Sequence, residues 1–497
     1  MFFIVKKYMF TFLLVVFLLI AEPQGSFGSH MDALGPLSIH PGNKRYFADG
    51  RGKIVYLTGS HTWNNFQDIE AVAESSFDYV AFLDFMQENH HNFMRLWVWE
   101  QAAWIPTVEG KVIIHPLPYQ RTGPGKAIDG GLKFDLARLN QDYFARLRAR
   151  VQEARSRGIY VAVMLFQGFG IEMKPSAAEP ADPVTDYLRK VLSRLGAGSF
   201  LDKDNNPWRG HPFNRKNNIN GVDGDPQRRL DGRSVHTLAI PEITRLQEQY
   251  VKIVIDTLSD LDNVLWEIAN ESHADSTAWQ YHMIDFIHGY EKTKATQHPI
   301  LMTVQWPDGN NATLFRSRAE AVSPNQDGGF RDNSAVADGL KVIIADTDHL
   351  WGIGGSWKWV WKSFLMGMNP IFMDPYTVSE FQSHPTKPDW DLLRRNMGYT
   401  RAFAEKVNLA EMFPNPELAS SGYCLAREGK EYLVYAPEGA DIKVNLSRVV
   451  GEFGLEWFDP VTGSTVAGDT ISGGNMHSFR APFGKDGILH ISERKNP

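Results

Sequence analysis

The stretch Val264-Leu265-Trp266-Glu267-Ile268-Ala269-Asn270-Glu271 decides how the rest of the chain reads. An apolar run of strand length that ends abruptly in an amide and a carboxylate is uncommon, because a buried strand end is usually apolar or followed by simple turn residues. Glu271 could serve only to cap a following helix, since Ser272 and Asp275 are also helix-start residues. What argues for more is its place in a regular series. A helical pattern over residues 243–261 leads into the run, and another over 278–295 follows it.

Upstream, strand-like runs end at 58–63 and cover 93–99 and 159–166, with helical patterns at 77–89 and 136–157. Downstream, strands are expected at 300–306, 321–324, 342–345 and 370–373, with helices at 357–366 and 390–407. The opening run is then the fourth of eight strands, and the series predicts an α/β fold, a (β/α)8 TIM barrel, over residues 33–410. Such barrels carry their chemistry at the carboxyl ends of the strands. His61, Trp63, Arg95, Trp97, Trp99, Gln167, Asn270, Glu271, Gln305, Trp306, Asp346, Asp348, His349 and Asp374 all fall at or just past those ends. Residues 167–240 lose periodicity and read as an elaborated loop on that same face.

Past about residue 410 the pattern changes to short β-type runs separated by turn signals such as Glu428-Gly429 and Thr462-Gly463. Residues 411–497 are therefore expected to form a small β-sandwich domain. At the other end, Lys6 and Lys7 precede an apolar run over 9–20 that is too short to span a bilayer. Residues 1–28 read as a signal peptide, and the mature chain as secreted or periplasmic with no integral membrane span. One cysteine, Cys424, excludes an intrachain disulfide.

With a formal charge of −7 the chain offers no basic field, so nucleic acid is not an expected partner. Fourteen Trp and sixteen Tyr supply flat amphipathic rings of the kind that cover sugar faces, though large cores use them too. Trp351, Trp357, Trp359 and Trp361 divide between these uses, with helix packing expected to claim at least half. Glu267 sits deeper than Glu271 and is expected to be an internal partner of Arg95 or Lys341. Residues 202–206 look like a calcium loop but lack its glycine and distal glutamate, so a solvated turn is expected, and no other metal or cofactor motif is found.

Arg95 within Asn92-Phe93-Met94-Arg95-Leu96, Asn270-Glu271 on the fourth strand and an acid on the seventh resemble the retaining glycoside hydrolases of the cellulase-like superfamily. The opening Tyr46-Phe47-Ala48-Asp49-Gly50 through Thr58-Gly59-Ser60-His61-Thr62-Trp63 is similar to the apiosidase-like branch, whose members often carry a C-terminal β-domain named for collagen binding. The resemblance implies cleavage of a glycosidic bond in a plant or algal carbohydrate by two carboxyl groups about 5–5.5 Å apart. It implies Glu271 as acid/base, Asn270 on a sugar hydroxyl, and Arg95 beneath the nucleophile. The superfamily pattern has Glu on strand seven where this chain has Asp346-Thr347-Asp348-His349. Asp346 is the first expectation for the nucleophile because it ends the apolar run, and Asp348 is the second; His349 could steer either. His61, Trp63, Trp97, Trp99, Gln167, Gln305, Trp306, His349 and Trp351 complete the expected substrate-binding set. Two other readings stay open: a metal-dependent hydrolase using His61, Asp346, Asp348 and His349, and a non-catalytic glycan-binding barrel. Oligomeric state is not legible.

Overall fold

The computed structural model describes residues 33–71, 77–104, 112–172, 206–333, 335–352, 354–376 and 390–494. The expected signal peptide and most of the calcium-like turn lie outside these residues. No helix among the described residues is long and apolar enough to cross a membrane.

Eight parallel strands form the barrel: β1 (Gly59–His61), β2 (Phe93–Leu96), β3 (Tyr160–Gln167), β4 (Val264–Asn270), β5 (Ile300–Thr303), β6 (Ala321–Ser323), β7 (Val342–Asp346) and β8 (Asn369–Met373). They pair in sequence, with β8 returning to β1. The last seam, between β1 and β2, is closed by the Thr58 carbonyl, which accepts from the backbone N–H of Asn92 at 3.0 Å and of Phe93 at 3.2 Å. The Asn92 side chain fastens the same seam, accepting from Thr58 N and donating to the Tyr56 carbonyl. Outside stand α1 (Tyr79–Glu88), α2 (Gln141–Arg155), α3 (Pro241–Leu258), α4 (Thr277–Glu291), α5 (Asn311–Arg316), α6 (Thr347–Trp351), α7 (Trp357–Leu365) and α8 (Trp390–Lys406).

Strands β3 and β4 are buried along their whole length, as expected for strands covered on both faces. The barrel interior is layered. Phe93, Ala162, Leu265, Leu301, Ala321, Val342, Ile344 and Ile371 form an apolar floor together with Leu37, Phe47 and Leu57 from the N-terminal segment. Two residues further along β2, β4 and β7, on the same alternating face, come Arg95, Glu267 and Asp346. The fold thus puts a charged layer directly above a dry one.

The expected helix over 136–157 begins later than the sequence suggested. Leu132–Leu139 is a strand paired antiparallel with Tyr119–Lys126, and Phe134 and Leu136 are buried at a spacing of two. Asn140 then caps α2, its side chain accepting from Asp142 N. The strand and the helix share a continuous apolar pattern, which concealed the break.

The C-terminal region is an antiparallel sheet with strands β9 (Phe413–Pro414), β10 (Cys424–Arg427), β11 (Glu431–Ala436), β13 (Glu452–Phe458), β14 (Thr465–Ser472) and β16 (Gly487–Glu493), in the order β9-β10-β11-β16-β13-β14. A two-stranded sheet of β12 (Ile442–Asn445) and β15 (Met476–Phe479) packs on it, Ile442 and Val444 joining Cys424, Val434 and Leu489 in one core. Helices α7 and α8 support the sheet from the barrel side. Phe458 lies edge-on to Tyr399 at 5.1 Å and Phe403 at 5.2 Å, and Asn396 donates to the Pro460 carbonyl while accepting from Trp361 Nε1. Trp361 is buried in this packing, while Trp359 is buried beside Trp351 and donates through Nε1 to the Phe330 carbonyl. Phe458→Ala is expected to cost about 3–5 kcal/mol in denaturant unfolding; an unchanged midpoint would show that the two regions do not stabilise one another.

Candidate active site

Arg95 is fully buried, and its guanidinium organises the mouth. Nε and Nη2 donate to the Glu267 carboxylate at 2.9 and 2.5 Å, a two-pronged pair. Nη2 also donates to Asn270 Oδ1 at 2.5 Å, and Nη1 donates to Asp346 Oδ2 at 2.8 Å and Asp348 Oδ2 at 3.3 Å. Glu267 is therefore the internal partner of Arg95. Lys341 turns instead to the carbonyls of Ser317 and Ala319.

Asp346 ends β7 fully buried, with each oxygen engaged. Oδ1 faces His61 Nε2 at 3.0 Å and accepts from Asp348 N at 2.9 Å, so Asp346 is also the N-cap of α6, and Oδ2 takes the bond from Arg95. Burial alone would raise its pKa; the His61 and Arg95 contacts overcome that and hold it well below the usual carboxylate range. His61 is itself buried, stacked on Trp97 with ring centres 5.8 Å apart, and Arg95 lies over the same indole at 5.0 Å. His61 and Trp97, both expected at the substrate, thus support Asp346 and Arg95 from behind.

Asp348, in the first turn of α6, behaves oppositely. Burial, then the neighbouring charges of Glu271 and Asp346, push its carboxyl well above the ordinary range against the pull of Arg95. Glu271 follows the last residue of β4 with φ of +47°, a left-handed conformation that costs a non-glycine residue energy and is often found at functional sites. The chain after β3 is shaped to fit it: a Cβ on Gly168 would stand 2.2 Å from the Glu271 carbonyl oxygen. Ligand atoms of Glu271, Asp348 and His349 all lie within 4.8 Å of one another. A cation could gather these three, but His349 Nε2 already faces Asn270 Oδ1 at 3.1 Å and Nδ1 faces Ser323 Oγ at 2.7 Å. Metal binding would have to break one of those bonds.

The other expected residues spread around this centre. Asn270 Nδ2 donates to Gln167 Oε1 at 3.3 Å. Trp306 is half-buried and stacked on Phe169, with ring centres 5.8 Å apart and planes 3° from parallel. Trp63 and Trp351 are half-buried, Trp351 edge-on to Trp359. Trp99 donates through Nε1 to the Trp63 carbonyl. Gln305 turns away from the charged centre, its Nε2 within donating distance of the His273 and Ala274 carbonyls and the Ser276 and Thr277 hydroxyls. Asp374 pairs with Arg394 of α8. The sequence reading passed over Glu100, whose carboxylate meets His211 at 3.2 Å, His236 at 2.9 Å and Gln167 N at 2.7 Å. Burial would raise Glu100, yet His236 and His211 pull it down to about 2. These partners are far apart in sequence, so no local spacing could reveal them.

Residues 412–491 match the family model "Putative collagen-binding domain of a collagenase". No curated protein sequence matches the chain. Among solved structures, the chain is similar to one titled "Glycoside hydrolase", with 13% identity, a TM-score of 0.55, and coverage of 92% of this chain and 97% of that one. It is also similar to a glycoside hydrolase family 5 protein from Bacteroides vulgatus ATCC 8482, with 13% identity, a TM-score of 0.56, and coverage of 93% and 95%. These likenesses bear out the barrel with its appended β-domain.

The raised pKa of Asp348 has a consequence for stability. Its folded value lies above the unfolded one, so its contribution is fully present below the unfolded carboxylate pKa and is lost as pH rises through the folded value. Asp348→Asn is therefore expected to stabilise the fold by about 1 kcal/mol or more near neutral pH and to change little near pH 3, read from unfolding curves at both. A variant less stable than wild type at neutral pH would contradict this.

Proposed function

We propose that the protein is a glycoside hydrolase acting with retention, with Glu271 as acid/base and Asp348 as nucleophile. The observation that carries the reading is the Glu271–Asp348 pair, whose carboxyl oxygens approach within 4.8 Å across the mouth. A retaining enzyme needs its carboxyl groups about 5–5.5 Å apart, whereas an inverting one needs about 6.5–9.5 Å to admit a water. Two acids this close hold one proton between them, and the elevated affinity belongs to the pair. Arg95 Nη1, 3.3 Å from Asp348, favours the ionised form there and so directs the proton to Glu271 when a glycosidic oxygen lies beside it.

The reaction then runs in two displacements. Asp348 attacks the anomeric carbon as Glu271 gives its proton to the departing oxygen; water, deprotonated by Glu271, releases the sugar from Asp348. Asn270 holds the hydroxyl beside the reacting carbon. Asp346, fully buried and held by His61, Arg95 and the α6 backbone, serves as the anchor of Arg95. Half-buried Trp63, Trp306 and Trp351 are the rings we assign to sugar contact. The resemblance to the apiosidase-like branch directs the search to plant and algal glycans, and the N-terminal pattern supports export to the periplasm or medium.

On such a panel, Glu271→Gln and Asp348→Ala are each expected to lower kcat by about a thousandfold or more. Azide should rescue Asp348→Ala with a glycosyl azide of inverted anomeric configuration and Glu271→Ala with a retained one. Inverted azide product from Asp346→Ala instead would move the nucleophile to Asp346. Full activity in Glu271→Gln would end the glycosidase reading.

A further inference from the structure

Asn270 is held by more than Arg95, and the proton positions around it are forced. A guanidinium only donates, so the Asn270 atom 2.5 Å from Arg95 Nη2 is the oxygen. That oxygen also lies 3.1 Å from His349 Nε2, which must then carry the proton. The neutral ring keeps a lone pair on Nδ1, 2.7 Å from Ser323 Oγ, so the Ser323 hydroxyl donates to it. Ser323 is the last residue of β6, His349 stands in α6 just past β7, and Asn270 is the last residue of β4. One chain of hydrogen bonds thus links three strand ends.

We propose that Ser323 and His349 are positioning residues that fix the Asn270 carboxamide with Nδ2 turned toward the sugar hydroxyl next to the reacting carbon. This rests on the glycosidase reading above. The terminal torsion of an asparagine is broad and roughly two-fold, so an amide held at one point can still tilt. Two donors converging on Oδ1, Arg95 from one side and His349 from the other, define both its orientation and its plane. Nδ2 is left with the 3.3 Å contact to Gln167 Oε1, which leaves its second hydrogen for substrate.

The ring also has to remain neutral. Protonation would put a second N–H against Ser323 and a cation beside Arg95; burial first, and then the Arg95 charge, hold His349 down to about 3. His349 therefore moves no proton in the reaction. Its Nε2–H stays on Asn270 throughout, and the proton exchanged with substrate belongs to the Glu271–Asp348 pair.

Two readouts test the role. Selective ¹⁵N-histidine labelling of the intact protein reports the tautomer without substrate: His349 is expected to stay neutral, protonated on Nε2, between about pH 8 and about pH 5. A ring protonated on Nδ1, or one that titrates in that window, overturns the proposal and leaves the glycosidase reading standing. The second readout uses an aryl glycoside that the wild type hydrolyses and its 2-deoxy analogue. His349→Phe is expected to lose about 100-fold in kcat on the hydroxylated substrate with KM nearly unchanged, and about threefold or less on the 2-deoxy compound. His349→Gln, which can offer an N–H to Asn270, should recover about tenfold of that loss. Equal losses on both substrates overturn the positioning role. A wild type that cleaves no glycoside removes the parent reading and this role with it, whatever the tautomer.

Discussion

A single buried guanidinium sets the electrostatics of the barrel mouth. Arg95 touches Glu267, Asp346 and Asp348 at once, and its side chain is wholly out of water. Removing that guanidinium would leave buried carboxylates with no cation among them, which is far more costly than the pairing itself is stabilising. The sum of charges matters as much as the contacts. Three carboxyl groups bear on one guanidinium, and Glu271 brings a fourth to the edge of the group. A dry interior resists net negative charge, and the least costly answer is for the outermost pair to keep a proton. In the glycosidase reaction proposed above, the acidic proton would come from this excess of carboxylates over cations, with Arg95 deciding where the excess is tolerated.

The apolar floor makes this arrangement possible. Phe93, Leu265 and Ile344 face the barrel axis one step below Arg95, Glu267 and Asp346. Among the described residues the charged layer therefore meets buried apolar side chains on that side. The N-terminal strands Phe47–Ala48 and Ile54–Val55, paired antiparallel, carry Phe47 into the same floor. A segment distant in sequence thus contributes to the low-polarity surround of the charged layer. The C-terminal sheet contributes differently, by bracing α7 and α8 around Phe458 and Asn396, well away from the carboxyl pair.

Much of this was legible in the sequence, and the parts that were not share a cause. Apolar runs and their spacing revealed the eight strands, because burial on both faces leaves a strong mark on composition. Arg95, Asn270 and Glu271 stood out as polar residues at strand ends. The order of Asp346 and Asp348 did not follow from pattern. Both share strand parity on paper, but β7 ends at Asp346 and the chain is helical from Thr347, so alternation no longer tells which side chain faces the mouth. A helix-capping aspartate and a reactive one look alike in one dimension. Glu100 was hidden for another reason, its partners Gln167, His211 and His236 lying far from it in sequence, and Gln305, expected at the substrate, is instead engaged by residues 273–277.

In the proposed reaction, the same local geometry would account for an aspartate where the glycoside hydrolases this chain resembles have glutamate. A side chain one methylene shorter, placed at the end of β7, would fall short of the sugar. Here the strand's final residue is occupied by Asp346, which caps α6 and anchors Arg95. The helix then carries the chain about 1.5 Å per residue further along its axis. Asp348, two positions on, reaches within 4.8 Å of Glu271. On the proposed assignment the position of Asp348 in the helix takes the place of a longer side chain, and the strand-end acid Asp346 supports the guanidinium. On this account the two aspartates are not alternatives for one role. Each depends on the other, since Asp346 starts the turn that lifts Asp348, and Asp348 N supplies one of the bonds that keeps Asp346 ionised.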